Sequence, residues 1–193
     1  QRQREVDALS PMVSAPLSLE HALLGFLRQQ PMYPYEIHQT LAQAKDLGRV
    51  WHLKQSQLYA LLARLEEAGY ITTTTEAQGT RPPRKVMTLT PGGLAAFDNW
   101  LASPVAHGRD FRLEFLAKLY FATQSGPDAV AALIEGQRQT CAIWLVDLAA
   151  QAAALRESSR FDWLVLQFRI TQISAIVSWL DTCAATLIRP GLN

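Results

Sequence analysis

The sequence predicts a mainly α-helical protein in two parts. The N-terminal part holds three helices, a two-stranded antiparallel hairpin and a further helix, and the C-terminal part is an all-α antiparallel helix pair. Three observations lead to this prediction. Apolar residues recur at steps of three and four up to Gly69, which is typical of helices that face a core. Residues 70–90 are rich in strand-forming types. Beyond residue 111 the apolar stripes become long and helical again.

The composition excludes several classes of protein. Of the 193 residues, 49% are apolar and 18% are charged, so the chain can bury a core and is not disordered. Because the formal net charge is only +1, a nucleic-acid site must be a local basic patch. No continuous apolar run approaches the roughly 20 residues of a membrane span, and the first ten residues lack a secretory signal. We expect a cytoplasmic protein outside the membrane.

Proline and glycine divide the chain into segments. Residues 1–16 are polar and predict an N-terminal arm or tail. Residues 17–103 are expected to form the first folded unit, and residues 111–190 the second. The connection over residues 103–110 contains proline and glycine and predicts a hinge.

Three helices are predicted in the first unit. The first begins at Ser18, a residue type that caps helices, and ends before Pro31. The second begins near Pro34, since proline suits the first helical turn, and stops near Gly48. The third ends at Gly69, a residue type common just past a helix C-terminus. This third helix carries a leucine stripe formed by Leu58, Leu61, Leu62 and Leu65.

A hairpin follows the third helix. Residues 70–75 are rich in Thr, Ile and Tyr and predict a strand. Residues 76–83 contain one glycine and two prolines and predict a loop, and residues 84–90 predict the return strand. Thr90 then predicts the N-cap, and the proline after it the first residue, of a helix that runs to about Leu101.

Three helices and a two-stranded wing form a winged helix-turn-helix, whose last helix enters the major groove of DNA. On a helical wheel the leucine stripe of the third helix occupies one side, and small or polar residues the other. Small side chains allow close approach to a groove about 12 Å wide, and polar or basic ones reach bases and phosphates. An ordinary solvated helix face remains the alternative. The predicted contacts are Lys54, Gln55, Ser56, Gln57, Tyr59 and Arg64.

The predicted wing adds basic charge beside this helix. Residues 49–85 contain six cations and three anions, a net charge of +3. Three of the cations, Arg81, Arg84 and Lys85, lie at the end of the predicted loop and in the return strand. A basic loop alone is usually only a soluble loop. Next to a polar helix in this order of elements, it favours contacts with phosphates and the minor groove of double-stranded DNA.

Several segments resemble the PadR family of bacterial transcriptional regulators, and the two most specific lie in the third helix and in the wing. The family pairs Leu with Tyr in its third helix, as in Leu58-Tyr59, and ends that helix with Leu-Glu-x-x-Gly, as in residues 65–69. Its wing reads Arg-Pro-x-Arg-Lys and closes on Leu-Thr-x-x-Gly, as in residues 81–85 and 89–93. In the second helix, residues 35–37 resemble the family's Tyr-(Asp/Glu)-(Leu/Ile) pattern.

The resemblance runs from about Leu17 to the C-terminus. Residues 113–121 resemble the start of the helical dimerisation domain found in a longer branch of the family. The resemblance implies a DNA-binding transcriptional regulator, with Tyr59, Arg81, Arg84 and Lys85 as DNA contacts. Departures from the family pattern bear on the operator sequence more than on the fold; they are Pro34, Ser56, Ala60 and Met87.

The second unit predicts a dimerising helix pair. Helices are expected over about 111–123, 127–157 and 162–188, and the last two carry apolar stripes at steps of three and four. A pair of helices buries only one face of each, so surplus apolar residues such as Ile176 and Trp179 need a partner. A second copy of the chain is the simplest partner. Such a homodimer would read half-sites about 34 Å apart in an inverted-repeat operator.

Three tryptophans in the second unit, Trp144, Trp163 and Trp179, are candidates for the lining of an effector pocket. Some members of the family bind phenolic or other aromatic small molecules at the dimer interface, so the resemblance implies a small aromatic effector. The spacing itself does not show such a pocket. The alternative, that these indoles are simply interface core, is the one that the pattern favours.

The sequence has no pattern typical of an enzyme, a metal site or a cofactor site. The four histidines lie at no metal-ligand spacing, Cys141 and Cys183 lie far apart, and no glycine-rich phosphate loop is present. We therefore predict a transcriptional regulator, most simply a repressor, that needs no cofactor. Two alternatives stay open: a winged-helix protein-interaction module without DNA binding, and a helical protein that binds or converts a small molecule.

Overall fold

The structure is a computed structural model that describes residues 20–43, 51, 53–78, 81–156 and 158–188; of residues 77, 78, 81 and 82 it describes the backbone only. The predicted arm over residues 1–16 lies outside these residues. The same holds for the predicted cap at Ser18 and for the predicted end of the second helix near Gly48.

Three helices begin the described chain: α1 spans His21–Leu27, α2 spans Pro34–Gln43 and α3 spans Gln55–Glu67. The leucine stripe of α3 faces the interior, as predicted. Three of its leucines are fully buried and the fourth, Leu61, is half-buried against the same core. Gly69 follows α3 with a φ of 75°, a left-handed conformation that glycine adopts without a steric cost.

The wing is longer than the sequence predicted. Strand β1 spans Ile71–Gln78 and β2 spans Arg81–Leu89, and they pair antiparallel along their length. The loop predicted over residues 76–83 is therefore wrong for most of that range. The register shifts between Glu76 and Gln78, and such a bulge near the free edge of a two-stranded ribbon tolerates the two prolines.

Backbone contacts fix the base of the wing to the rest of the first unit. Met32, between α1 and α2, exchanges two backbone hydrogen bonds with Met87 of β2, at 3.0 and 2.9 Å. Helix α4 spans Pro91–Ala102, and its predicted cap is confirmed, because the Thr90 hydroxyl accepts a hydrogen bond from the Gly93 amide at 2.9 Å. A Cβ at Gly93 would lie 2.0 Å from the Tyr70 carbonyl oxygen, so only glycine fits there.

The C-terminal part is helical. A 3₁₀ helix spans Gly108–Arg112, and α5 spans Glu114–Ser125, so the helix predicted from residue 111 begins three residues later. The two long helices match their predicted ranges within two residues at each end. They are α6, Pro127–Leu155, and α7, Arg160–Leu187.

Helices α6 and α7 run antiparallel, as predicted, and α5 connects them to the winged domain. The Arg138 guanidinium of α6 pairs with the Asp181 carboxylate near the opposite end of α7. Helix α5 contributes to two cores. Its Phe121 packs edge-on against Phe26 and Phe97 of the winged domain, while Phe115 lies in the core between α5, α6 and α7.

Helices α6 and α7 carry large apolar side chains that are exposed, and we call these residues together the apolar face. It consists of Ile143, Val146, Phe161, Leu164 and Phe168, each at least 57% exposed. By length and composition α7 could cross a membrane, and only 17% of its most apolar stretch is buried within the protein. One such helix is weak evidence of a membrane span. The sequence did not predict it because polar residues interrupt the apolar ones. Exposed apolar helix faces are also typical of subunit interfaces.

Candidate DNA-binding surface

Helix α3 presents a polar outer face to solvent. Leu58 and Leu62 are fully buried, whereas residues 54–57, 59 and 60 are exposed. Ala60 and Ala63, the small residues of the predicted reading face, are exposed. The face is therefore free within the protomer, as a reading helix requires. Its exposed predicted contacts are Lys54, Gln55, Ser56, Gln57 and Tyr59.

The first turn of α3 is capped by its own Gln57. The Lys54 amide donates a hydrogen bond to Gln57 Oε1 at 3.0 Å. This bond stabilises the start of the helix and occupies one lone pair of the side-chain amide oxygen. The two donors on Nε2 remain directed away from the cap. Gln57 is thus better prepared to donate to an acceptor than to make the paired contact that glutamine makes with adenine.

The wing meets the start of α2 through aromatic rings. Tyr33 and Tyr35 stack with ring centroids 5.6 Å apart and an interplanar angle of 14°. The Arg84 guanidinium carbon lies 5.8 Å from both ring centroids, within the range of a cation–π contact. The Tyr33 hydroxyl donates to Glu76 Oε2 at 2.9 Å. This bond raises the pKa of Tyr33, because it stabilises the protonated phenol.

A cleft joins the outer face of α3 to the wing. It has a volume of about 470 Å³ and is lined by Tyr59 of α3, by Arg84 and Lys85 of β2, and by Tyr33, Pro34 and Tyr35. Two predicted wing cations and the predicted tyrosine of α3 thus lie around one space. Their phenol and cationic groups are donors suited to phosphate oxygens.

One predicted contact, Arg64, stands apart from this cleft, and a second, Arg81, is described by its backbone only. The Arg64 guanidinium forms an ion pair with Glu20, whose side chain is 8% exposed. Burial raises the pKa of Glu20 and the arginine opposes that rise, so Arg64 is a structural partner near α1. Arg81 belongs to β2 by its backbone, while its side chain lies outside the described atoms. A DNA contact stays a prediction for both arginines.

Tyr33 and Glu76 also belong to this surface, and neither was predicted from the sequence. They are 43 positions apart, and only the pairing of the wing with the connection before α2 brings them together. An available signal was the pair of tyrosines around Pro34, a residue type favoured at the first position of a helix.

Residues 23–99 match the Transcriptional regulator PadR-like family, and residues 111–187 match the Virulence activator alpha C-term family. The chain is 30% identical over 178 residues to the Negative transcriptional regulator PadR of Bacillus subtilis, covering 88% of this chain and 97% of that protein. The chain belongs to the PadR-like family. It is accordingly a transcriptional regulator and not an enzyme, and the second match fits the longer branch with a helical C-terminal domain.

A second relative and one solved structure illustrate the extent of the similarity. The Probable transcriptional regulator Rv1176c of Mycobacterium tuberculosis is 29% identical over 96 residues, half of each chain. The crystal structure of Bacillus subtilis PadR in complex with operator DNA shares 30% identity, covers 88% of this chain and 98% of that one, and has a TM-score of 0.43.

The three predicted effector tryptophans do not gather in one place within the protomer of this PadR-like regulator. Trp144 borders a cavity of about 480 Å³ between the 3₁₀ helix, α6 and α7, and its lining includes neither Trp163 nor Trp179. Trp179 packs edge-on against Phe115 at 5.9 Å. Trp163 is half-buried and lies 16 positions before Trp179 on the same helix, about 24 Å away along its axis.

Proposed function

We propose that this protein is a repressor that binds an inverted-repeat operator as a homodimer, with α3 in the major groove and the wing on the phosphate backbone. The observation that supports it most is the cleft that Tyr59 shares with Arg84 and Lys85. A recognition helix and a basic wing act together only if their donors face the same side of the domain. Repression is inferred from the B. subtilis relative, which is named a negative regulator.

The outer face of α3 supports a major-groove role. Its small exposed residues, Ala60 and Ala63, permit the helix to approach bases closely. Ser56 and Gln57 lie at the exposed N-terminal end, the end from which helix-turn-helix proteins usually contact bases. In this arrangement Gln57 donates to a base acceptor, because its oxygen already caps the helix.

The cleft supports a phosphate-binding role for the wing. Lys85 and Arg84 are exposed, and the tyrosine stack holds the guanidinium in place without neutralising its charge. A prearranged cation loses less conformational freedom on binding a phosphate than a free one does. Tyr59 adds a hydroxyl donor from the adjacent helix.

The apolar face supports a homodimer. Its five large side chains would be costly to leave in water, at roughly 25 cal/mol for each Å² of apolar surface. A second copy offers the same face, and a two-fold axis between the helix pairs gives a self-complementary interface. The same axis would relate two reading helices, which matches an operator with two half-sites about 34 Å apart.

For a small aromatic effector, the cavity beside Trp144 is a better candidate site than a pocket lined by all three tryptophans, because the three line no common cavity among the described residues of the protomer. That cavity presents one indole together with the cationic side chains of Arg109 and Arg169. Equilibrium dialysis of a panel of aromatic ligands tests this part of the proposal. Binding should weaken in Trp144→Phe and persist in Trp163→Phe, which lies outside the cavity; equal loss in both variants would contradict the assignment.

Selection of duplexes from a random pool tests the proposed function. The wild-type protein should enrich an inverted repeat, and Arg84→Ala/Lys85→Ala should bind all enriched duplexes more weakly. The variant dimer lacks four phosphate contacts, so the slope of log affinity against log salt concentration should fall by about 3.6. Arg112→Ala, an exposed cation in the 3₁₀ helix, is the matched control and should leave the slope unchanged. A wild-type protein that enriches no duplex would favour the protein-interaction module.

A further inference from the structure

A closed polar network joins the winged domain to the helical domain. Lys118 of α5 is 1% exposed, and its ammonium donates to the Ser103 carbonyl oxygen at 2.7 Å. The same ammonium lies 3.0 Å from Glu114 Oε1 and 5.2 Å from the centroid of the Trp100 ring. Trp100 Nε1 donates to the same carboxylate oxygen at 3.2 Å. We call Trp100, Ser103, Glu114 and Lys118 the junction network.

A second bond ties the linker to α6. Gln137 is fully buried, and its Oε1 accepts a hydrogen bond from the Val105 amide at 2.8 Å. Val105 itself is 1% exposed and packs in the C-terminal core. The segment that the sequence predicted as a hinge is thus held from α5 at Ser103 and from α6 at Val105. Two fixed points this close together leave little rotational freedom between the domains.

Burying the charged groups of this network costs free energy that an apolar core would not cost. Burial lowers the pKa of Lys118 from its ordinary value, and Glu114 opposes that change by stabilising the charged form. Replacing a buried ion pair with apolar side chains of similar volume often leaves stability unchanged or higher. An apolar side chain makes contacts without a preferred direction. A buried cation needs hydrogen-bond acceptors at defined positions, so it fixes where the groups around it lie.

We propose that Lys118 is a positioning residue for operator recognition: with the junction network and Gln137, it fixes the winged domain on the helix pair and so sets the half-site spacing that the dimer accepts. The proposal rests on the proposed function, a homodimer that reads two half-sites. One inserted base pair moves a half-site by about 3.4 Å and rotates it by about 35°. A dimer whose domains are fixed should lose affinity for the lengthened operator. A dimer whose domains can rotate should adjust to the new spacing and keep most of its affinity.

Two variants remove the network at different cost to folding. Lys118→Met keeps the aliphatic length and removes the donors, but leaves Glu114 without its cation. Glu114→Gln/Lys118→Met removes both charges and keeps an acceptor for Trp100, so it should fold even where the single variant does not. Arg138→Met is the matched control, since it removes an ion pair with Asp181 within the helix pair and not between the domains.

The first measurement is affinity for the selected duplex and for the same duplex with one or two base pairs inserted at its centre. The wild-type protein and Arg138→Met should lose affinity at least about tenfold on insertion. The double variant should lose less than about threefold, with a similar affinity for an isolated half-site. Unchanged discrimination in a folded double variant would overturn the proposal.

The second measurement needs no DNA. Nitroxide labels at Thr75 in the wing and Gln139 in α6, with Cys141 and Cys183 replaced by alanine, report the distance distribution between the domains. The distribution should be narrow in the labelled parent and in Arg138→Met, and broader in the double variant. Equal widths would overturn the proposal. If no duplex is bound at all, the proposed function fails, and the label widths alone decide whether the network fixes the domains.

Discussion

Two cation–aromatic contacts in this protein have similar geometry and opposite surroundings. On the wing, Arg84 lies 5.8 Å from the stacked rings of Tyr33 and Tyr35, with solvent around it. At the domain junction, Lys118 lies 5.2 Å from Trp100 and is 1% exposed. The wing arginine keeps its charge available to a ligand. The junction lysine uses its donors within the protein.

The comparison indicates that a cation–aromatic contact can have two roles. An exposed cation remains available to bind a ligand, whereas a buried one fixes the relative positions of structural elements. A cation–π contact in solvent contributes about 0.5–1 kcal/mol and leaves the cation free to bind phosphate. A buried cation must have its partners in place, because each unsatisfied donor or charge costs several times as much. The wing and the junction should therefore respond differently to substitution.

The largest expected effect is the loss of the carboxylate at the junction. Glu114→Ala leaves the Lys118 ammonium and the Trp100 indole without their shared acceptor. The free energy of unfolding should fall by about 3 kcal/mol, as is typical when one partner of a buried pair is removed. Urea denaturation measures this change. A loss below about 1 kcal/mol would mean that the network relaxes or is hydrated.

The next effect separates stability from binding at the wing. Arg84→Ala should weaken duplex affinity about tenfold, because the dimer loses a prearranged cation from each wing. The free energy of unfolding should fall by no more than about 1 kcal/mol, since the side chain is exposed and loses only its solvent-exposed cation–π contact. Fluorescence anisotropy and urea denaturation measure the two quantities on one sample. A stability loss as large as that of Glu114→Ala would remove the contrast between the regions.

A pH titration sharpens the same contrast. The folded-state pKa of Lys118 lies below the ordinary value of 10.5. Between these two values the unfolded chain binds more protons, so this lysine makes the free energy of unfolding rise as pH rises through that window. Glu114→Gln/Lys118→Met should lack this rise, whereas Lys85→Met should retain it. If the double variant shows a rise of the same size, then groups other than Lys118 cause the pH dependence and the prediction is wrong.

The smallest expected effect concerns the anion beside the wing cations. Glu76→Gln keeps an acceptor for the Tyr33 hydroxyl and removes a negative charge from the surface. Duplex affinity at low salt should increase about two- to threefold, with stability unchanged. Anisotropy titrations at two salt concentrations measure the gain. A decrease in affinity would indicate that the carboxylate itself orders the wing for binding.

Local patterns predicted the elements, and long-range contacts determined the rest. The leucine stripe of α3 and the cap at Thr90 depend on residues within one or two turns, so the sequence was sufficient for both. The length of the wing was not predictable from its prolines, because the bulge between the strands accommodates them. The Tyr33–Glu76 bond and the tie between Val105 and Gln137 join positions 43 and 32 residues apart. Nothing in their immediate neighbours indicates such partners.

The candidate site was predicted in its residue types more than in its arrangement. Tyr59, Arg84 and Lys85 meet around one cleft, whereas Arg64 pairs with Glu20 near α1. Helical periodicity places Arg64 on the flank of α3, but only the packing of α1 determines that an acidic partner lies there. The three predicted tryptophans share no cavity within the part of the protomer that the structure describes, because helical spacing does not define a shared cavity; an effector site at these residues stays a prediction.

Hydrogen–deuterium exchange of the protein with and without a selected duplex tests the central claim most directly. We predict that the duplex slows exchange at the start of α3, residues 54–60, and in the wing around Arg84 and Lys85. The apolar face of α6 and α7 should exchange equally in both states. Slowed exchange confined to the helix pair, with α3 and the wing unchanged, would contradict the assignment of the DNA-binding surface.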